Sequence, residues 1–204
     1  MKRSAIWLGL VMVLVSAASH GQERRVYEGV VGLKQKTIGT LILLDGSGSS
    51  LRGWLRLEKF VPIESGSVLE HGVEFSAAGN RYEIDERRAR ISYSGPDGEG
   101  SRYVQRMERQ TGRFEELAED RGFGKVAKVE VAGRVRSYRI GRPALWKQAE
   151  APFETFERID ELLGKQIALW LADADVRTGR VVAVEEPAGM NIPLKKPKEE
   201  KKKK

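Results

Sequence analysis

Short runs in which apolar and polar residues alternate, with turn residues roughly every 8 to 12 positions, occupy the chain from Val26 to Arg109. Leu51 and Leu55, for example, alternate with Arg52, Trp54 and Arg56. This spacing predicts an antiparallel barrel or sandwich whose strands have one buried and one wet face. The segment TLILL at 40–44 does not alternate, which predicts a strand covered on both faces. The predicted strands are 27–31, 37–44, 50–57, 60–63, 68–75, 81–85, 88–94 and 102–109.

The pattern changes after Arg109. Phe114, Leu117 and Ala118 have helical spacing, which predicts a short helix over 113–120 within a helical joint at 110–122. Strands 125–131 and 135–140 then form a predicted hairpin around the loop 132–134. A second helix is predicted over 153–163, with Pro152 in its first turn and Gly164 at its end. Its apolar face comprises Phe153, Phe156, Ile159, Leu162 and Leu163.

These elements predict a mainly β protein of two units. The first, 24–109, is an antiparallel β-barrel or sandwich. The second, 123–194, is a small SH3-like or Sm-like β-barrel that contains the helix 153–163, ends in strands 166–171 and 176–184, and has Trp146 and Trp170 in its core. The remaining residues, 195–204, are Lys, Glu and Pro and predict a disordered tail.

The N-terminus has the layout of a secretory signal peptide. Lys2 and Arg3 precede the apolar run AIWLGLVMVLV, and small residues follow it. The run is shorter than the roughly 20 residues that span a bilayer, so we predict cleavage near residue 21 and no transmembrane segment afterwards. The mature protein is therefore expected in the periplasm or the medium.

Composition narrows the chemistry further. The chain has 36 Lys and Arg against 29 Asp and Glu, a net charge of +7, and no cysteine. Because Lys2, Arg3 and the tail carry this whole excess, the chain between them is neutral, and nucleic acid is not the predicted partner. The absence of cysteine excludes disulfides, thiol catalysis and Cys-ligated zinc.

Residues 163–194 resemble the first sequence motif of Sm-like proteins, in which a glycine, an alternating strand, an acidic turn, a second glycine and a second strand precede Met-Asn. The resemblance implies a small barrel, here permuted because the hairpin 125–140 precedes the helix. It also implies an RNA contact for Asn191, although we favour a shared shape without that function. The matching residues are Gly164, Ile167, Leu169, Leu171, Asp173, Gly179, Val181, Glu185, Met190 and Asn191.

Catalytic and metal chemistry have little support. After cleavage His71 is expected to be the single histidine of the folded part, and its parity with Leu69 and Val73 predicts a core or bulge residue. No Gly-x-Ser-x-Gly elbow, calcium-loop spacing or phosphate-binding loop is present. We therefore predict no catalytic residue, cofactor or metal, and keep a hydrolase with two carboxylates as an alternative.

The candidate ligand site is Arg52, Trp54 and Arg56 on the wet face of one strand, where guanidinium groups could flank an indole. Its alternative is a Trp54 packed beneath a neighbouring segment. The predicted function is an exported, non-enzymatic binding or scaffolding protein of the bacterial envelope, and the alternative is a barrel that encloses a small ligand. The tail is predicted to contact an anionic envelope polymer or lipid surface through Lys195, Lys196, Lys198, Lys201, Lys202, Lys203 and Lys204.

Overall fold

The computed structural model describes residues 23–147, 150–154, 159–172 and 179–185. It is mainly β, as predicted, with one curled sheet and a second sheet. The strands of the first sheet are β1 (Glu23–Leu33), β2 (Lys36–Ser47), β3 (Ser50–Arg56), β4 (Phe60–Pro62), β5 (Ser65–Leu69), β6 (Gly72–Ala77), β7 (Asn80–Asp85), β8 (Arg90–Ser94) and β9 (Gly100–Arg106). Those of the second are β10 (Glu108–Asp120), β11 (Gly124–Val131), β12 (Arg134–Trp146), β13 (Phe153–Glu154), β14 (Gln166–Ala172) and β15 (Arg180–Glu185).

The first sheet curls into a half-barrel. Its strand order is β4-β3-β2-β1-β9-β8-β7-β6-β5, and every neighbouring pair is antiparallel. The two ends of the sheet approach each other. The amide of Val68 in β5 donates a 2.7 Å hydrogen bond to the carbonyl of Gly48, which lies in the turn between β2 and β3. Side chains from the inner faces fill the interior with one apolar cluster, in which the rings of Phe75 and Tyr82 stack 5.0 Å apart.

One strand predicted in this region is instead a hairpin. Residues 68–75 contain β5 and β6, and Leu69 pairs with Gly72, so that Glu70 and His71 alone form the turn. Gly72 has φ +157°, where a Cβ would lie 1.8 Å from the Ile84 carbonyl oxygen, so only glycine fits there. The prediction of a core His71 is therefore wrong. Its half-buried ring lies in the turn, with Nε2 3.1 Å from the Glu70 carboxylate.

The second sheet closes on itself. Strands β10, β14, β15 and β12 are neighbours in that order, and β11 pairs with both β10 and β12, which completes a ring of five strands. Four of the five pairings are antiparallel, whereas β12 and β15 are parallel. We call this unit the closed barrel. The short strand β13 pairs with β12 outside the ring.

The predicted helix at 113–120 and the helical joint at 110–122 are wrong, because residues 110–120 belong to β10 and residues 121 and 122 to the turn that follows it. A bulge between Phe114 and Glu116 shifts the register against β11. A bulge reverses the inside–outside alternation, so Phe114 and Leu117 both pack against the core of the closed barrel although three positions separate them. The helix-like spacing thus arises within a strand. The chain passes between the sheets at Met107.

The second predicted helix does not begin at Phe153, and its other described residues contain only a single helical turn. Ile159–Leu162 form a 3₁₀ turn with Ile159 and Leu162 buried, and Gly164 follows it with φ +75°. Phe153 belongs to β13, where it pairs with Leu145, and residues 155–158 lie outside the described part of the chain.

The predicted register of the hairpin formed by β11 and β12 is also wrong. Val131 pairs with Arg134, so the turn contains two residues rather than three. Ala132 and Gly133 both have positive φ, at 50° and 76°, as a type I′ turn requires. Of the two hairpin strands, β12 pairs with β15, whereas β11 pairs with β10 and β12 and with neither β14 nor β15. The Sm-like resemblance stays a prediction, because 173–178 and 186–194 are not among the described residues.

The half-barrel and the closed barrel pack against each other through their outer faces. Leu41 and Leu43 point into this contact while Ile42 and Leu44 point into the half-barrel, which confirms that 40–44 is covered on both faces. Trp146 and Trp170 are buried here, and not in the core of the closed barrel as predicted. We call these buried residues the interface cluster: Val26, Leu41, Leu43, Met107, Ala144, Trp146, Trp170, Ala172, Val182 and Ala183.

Candidate binding cleft between the two barrels

The three residues of the predicted ligand site lie on β3 but have different surroundings. Trp54 is half-buried and packs against the interface cluster, in register with Leu43 on one side and Pro62 on the other. Arg52 is exposed and lies opposite Asp45. Arg56 approaches Glu154 at 3.7 Å and lines a cleft. The packing of Trp54 thus agrees with the alternative that the sequence left open.

Stacking of guanidinium on indole occurs instead at the interface cluster. The Arg24 guanidinium lies 5.0 Å from the ring centre of Trp146, and that of Arg109 lies 5.9 Å from the ring centre of Trp170. Both arginines form ion pairs with Glu185, which is 3% exposed. Arg24 also approaches Asp45 at 3.4 Å. One arginine therefore connects a carboxylate of each barrel.

This contact contains polar atoms that the protein does not fully satisfy. Among the described residues, Glu185 Oε2, Asp45 Oδ1 and Trp170 Nε1 are buried without a hydrogen-bond partner. Water molecules commonly satisfy such groups. The apolar interface cluster thus lies beside a buried carboxylate, Glu185, whose ion pair with Arg24 connects the two barrels.

Next to this contact, an open cleft of about 370 Å³ lies on the outer face of the half-barrel. We call it the interbarrel cleft, because Arg180 of the closed barrel forms part of its wall. A single cross-strand row supplies most of its polar groups: Gln105 pairs with Glu28, Glu28 with Leu41, and Leu41 with Arg56. The lining residues are Glu28, Gly29, Val30, Gly39, Thr40, Arg56, Tyr103, Gln105 and Arg180.

An ion pair crosses from one barrel to the other in this cleft. The Arg180 guanidinium donates two hydrogen bonds to the Glu28 carboxylate, at 2.5 and 3.0 Å. Such a bidentate pair fixes the planes of both groups. Because Glu28 belongs to β1 and Arg180 to β15, the cleft exists in this form only when both barrels are folded and docked.

The cleft also has an exposed aromatic wall and an open floor. Tyr103 is 60% exposed and is the most exposed Phe, Tyr or Trp side chain among the described residues. At Gly39 a Cβ would meet no atom within 4 Å, so the space above this residue is empty. Tyr103 is absent from the site predicted from the sequence, although it occupies a wet position of the alternation, as Trp54 does. Nothing local distinguishes Gly39 from a turn glycine.

A second cleft of about 350 Å³ lies near the seam where the ends of the half-barrel approach. Ser49, Ser65, Ser67 and Ser76 line it together with an ion pair between Arg81 and Glu74 at 2.5 Å. The hydrogen bond from Arg81, assisted by one from Ser67, lowers the pKa of the Glu74 carboxyl below its usual value. The carboxyl therefore stays ionised at neutral pH and does not serve as a proton donor there.

One buried tyrosine in the half-barrel is tied to a carboxylate. The Tyr27 hydroxyl donates a 2.6 Å hydrogen bond to Glu86, which Arg106 also contacts. Burial first, and the Glu86 carboxylate second, raise the pKa of Tyr27 far above that of a free tyrosine. The phenol is thus a fixed hydrogen-bond donor that anchors Glu86 at the end of the barrel.

Within the described residues, no group of three or more acidic or histidine side chains could hold a metal ion. The same residues contain no helix with the length and apolar character needed to cross a bilayer. The predicted signal peptide at 1–21 and the Lys-rich tail at 195–204 lie outside them. No protein-family model matches the sequence, and comparisons with curated proteins and with solved structures found no significant match.

Proposed function

We propose that this protein is an exported, non-enzymatic binding protein of the bacterial envelope, and that the interbarrel cleft holds an oligosaccharide. The observation that carries the proposal is the combination of an exposed Tyr103 with an open floor at Gly39 and a row of polar groups. Binding sites are typically concave and have a few polar groups that fix the orientation of the ligand.

The chemistry of the lining suits a sugar. Gln105 offers an amide donor and acceptor, Glu28 offers acceptors, and Arg56 offers donors. Sugar hydroxyl groups donate and accept, so one ring can use all three. Tyr103 provides a flat apolar surface with a polar edge, which suits the face of a pyranose ring.

The cleft is preformed. The Glu28–Arg180 ion pair and the interface cluster hold both walls in place before a ligand arrives. A ligand then loses less affinity to ordering of the protein than it would at a mobile loop. Two docked barrels therefore provide a site whose walls need little ordering when a ligand binds.

The two alternative functions have weaker structural support. The small-ligand barrel needs an internal cavity, whereas apolar side chains from all nine strands pack inside the half-barrel, and both described clefts are outside it. A hydrolase with two carboxylates needs a second acid near the first, but the described lining of the interbarrel cleft contains only Glu28.

A substitution at Gly39 tests the proposal cleanly. At Gly39 a Cβ meets no atom within 4 Å and φ is not positive, so we expect the fold to tolerate Gly39→Leu, whose side chain would occupy the cleft. Gly141→Leu is the matched control, because Gly141 also has no atom within 4 Å of a Cβ but lies on β12 outside the cleft. Calorimetry would use tetramers of N-acetylglucosamine and of galacturonic acid.

We expect Gly39→Leu and Tyr103→Ala to lower the affinity for the tetramer that binds about tenfold or more, with an unchanged melting temperature. Gly141→Leu should bind as the unmodified protein does. Equal binding by Gly39→Leu, or binding of neither tetramer, would contradict the proposed site. N-terminal sequencing of the protein recovered from its cells tests export, since the predicted mature chain begins near residue 22.

A further inference from the structure

The cleft of about 350 Å³ near the seam of the half-barrel is built by three strands and a turn, and we call it the seam cleft. On β5 and β6 its residues are in register, since Ser65 pairs with Ser76 and Ser67 pairs with Glu74. Ser76 and Glu74 alternate with the buried Phe75, so this row lies on the outer face of the sheet. The polar residues that line the cleft are Ser49, Ser65, Ser67, Glu74, Ser76 and Arg81.

The charged groups of the seam cleft hold each other in place. The Arg81 guanidinium donates a 2.5 Å hydrogen bond to the Glu74 carboxylate, and the Ser67 hydroxyl donates another at 2.9 Å. The described lining contains this one acid and this one base, which pair with each other. A serine hydroxyl both donates and accepts, as the hydroxyl groups of a sugar do. An anionic ligand would instead be repelled by the ionised Glu74 carboxylate. The lining therefore suits a neutral molecule that carries several hydroxyl groups.

The closure of the sheet places the two clefts on opposite sides of the half-barrel. Strand β5 lies beside β3, because Val68 bonds to Gly48 and a Cβ at Gly66 would lie 3.2 Å from the Cβ of Leu51. The interbarrel cleft is centred on β1, and the seam cleft includes β6. From β1 to β6 there are four strand steps through β9, β8 and β7, and also four through β2, β3 and β5. The two clefts therefore face away from each other.

We propose that the seam cleft is a second binding site, that it takes a neutral sugar, and that one molecule therefore joins two glycan chains on opposite sides of the half-barrel. The binding of a sugar in the seam cleft is argued from that cleft alone. The joining of two chains rests on the proposed function, because it also needs the interbarrel cleft. A molecule with two such sites acts as a scaffold as well as a binding protein.

Calorimetry with the tetramer of N-acetylglucosamine tests both sites on the full mature chain. Ser65→Leu adds a larger side chain at an exposed position of the seam cleft, and Gly39→Leu blocks the interbarrel cleft. Ser92→Leu is the matched control, because Ser92 is an exposed serine on the same outer face, in register with Glu83, and lines neither described cleft. Thermal unfolding of each variant checks that it is folded.

We expect the unmodified chain and Ser92→Leu to bind two tetramers each. Gly39→Leu and Ser65→Leu should each bind one, and the variant with both substitutions should bind none. Ser76→Ala is a milder change that removes a single hydroxyl. Combined with Gly39→Leu, it should weaken the remaining site about threefold to tenfold, the loss of one hydrogen bond. The tetramer of galacturonic acid should not bind to Gly39→Leu.

A capture assay tests whether one molecule joins two chains. The N-acetylglucosamine tetramer is fixed to a surface, the protein is added, and a fluorescent tetramer follows. The unmodified chain should retain the fluorescent tetramer, whereas Gly39→Leu and Ser65→Leu should attach to the surface and retain none. Retention by both of these variants would contradict the joining of two chains by two clefts.

The failure of each proposal has its own signature. If the unmodified chain binds the neutral tetramer but Gly39→Leu does not, the seam cleft is not a site while the proposed function stands. If Ser65→Leu abolishes all binding and Gly39→Leu has no effect, the seam cleft stands and the proposed function is wrong. Binding of neither tetramer contradicts both. Binding of the acidic tetramer to Gly39→Leu, more tightly than the neutral one, would overturn the choice of a neutral sugar.

Discussion

The buried carboxylate of Glu185 offers the most direct test of how the two barrels are held together. It lies at the end of β15, is 3% exposed, and forms ion pairs with Arg24 of the half-barrel and Arg109 of β10. The substitution Glu185→Gln keeps the shape of the side chain and removes its charge. We expect it to weaken the contact between the barrels without disturbing either core.

The magnitude follows from what remains after the substitution. Removing one partner of a buried ion pair typically costs 3–5 kcal/mol, because it leaves the other charge uncompensated. Arg24 keeps Asp45 as a partner at 3.4 Å, and Arg109 is 42% exposed, so we expect the lower end of this range, about 3 kcal/mol. For a chain of this size, that corresponds to a fall in melting temperature of about 6–12 °C.

Tryptophan emission reports this contact selectively. Trp146 and Trp170 belong to the interface cluster and Trp54 packs against it, while Trp7 falls within the predicted signal peptide. Urea unfolding followed by fluorescence therefore monitors the interface, and far-ultraviolet circular dichroism monitors all strands. In Glu185→Gln the fluorescence midpoint should fall at least as far as that of the circular dichroism.

A double-mutant cycle with Arg24→Gln isolates the pair, and we expect a coupling free energy above about 1.5 kcal/mol. Glu83→Gln is the control, because Glu83 is an exposed glutamate on β7. A loss below about 1 kcal/mol for Glu185→Gln, or a coupling near zero, would show that apolar packing alone holds the barrels together.

Three further predictions concern two tyrosines and a turn. Tyr82→Phe should leave the free energy of unfolding unchanged or raise it, because the buried hydroxyl has no hydrogen-bond partner among the described residues. Tyr27→Phe should lower it by about 1.5 kcal/mol in urea unfolding, because it removes the hydrogen bond to Glu86. Burial raises the pKa of Tyr82 to about 12, so the folded state keeps this proton at a pH where the unfolded chain releases it. The free energy of unfolding should therefore fall as pH rises from ~10 towards 12, and fall less in Tyr82→Phe; an equal fall in both proteins contradicts this. Ala132→Gly should raise the melting temperature, by the equivalent of about 1 kcal/mol, because Ala132 has a φ of 50° that glycine adopts without strain; a fall would contradict the type I′ turn.

Some errors of the sequence-based prediction have a common physical cause. Phe114 and Leu117 are three residues apart, as on a helix, but a bulge in β10 places both inside the barrel. The sequence predicts the turn at Ala132 one residue too long, because alanine rarely adopts a positive φ and so does not indicate a type I′ turn. In both cases the apolar positions were predicted correctly, but the backbone conformation that connects them was not.

The candidate cleft shows a different limit. Arg56 was identified because it alternates with buried leucines, and it does line the cleft. Tyr103 has the same wet position, but the residues two positions before and after it, Ser101 and Gln105, are uncharged, whereas Trp54 is flanked in this way by Arg52 and Arg56. Gly39 contributes only empty space, and emptiness depends on what the rest of the chain leaves uncovered.

Periodicity in the sequence is enough to predict the β content, most strand positions in the half-barrel and the double coverage of 40–44. These features depend on which side of each strand is buried, and the alternation of apolar and polar residues along the strand shows that directly. The tertiary structure alone decided that β12 lies parallel to β15, that three tryptophans meet between the barrels, and that Arg180 bonds to Glu28 across 152 positions of the chain. Hydrophobic alternation indicates that a face is buried but not which element covers it. The covering element is known only from the packing of the whole chain.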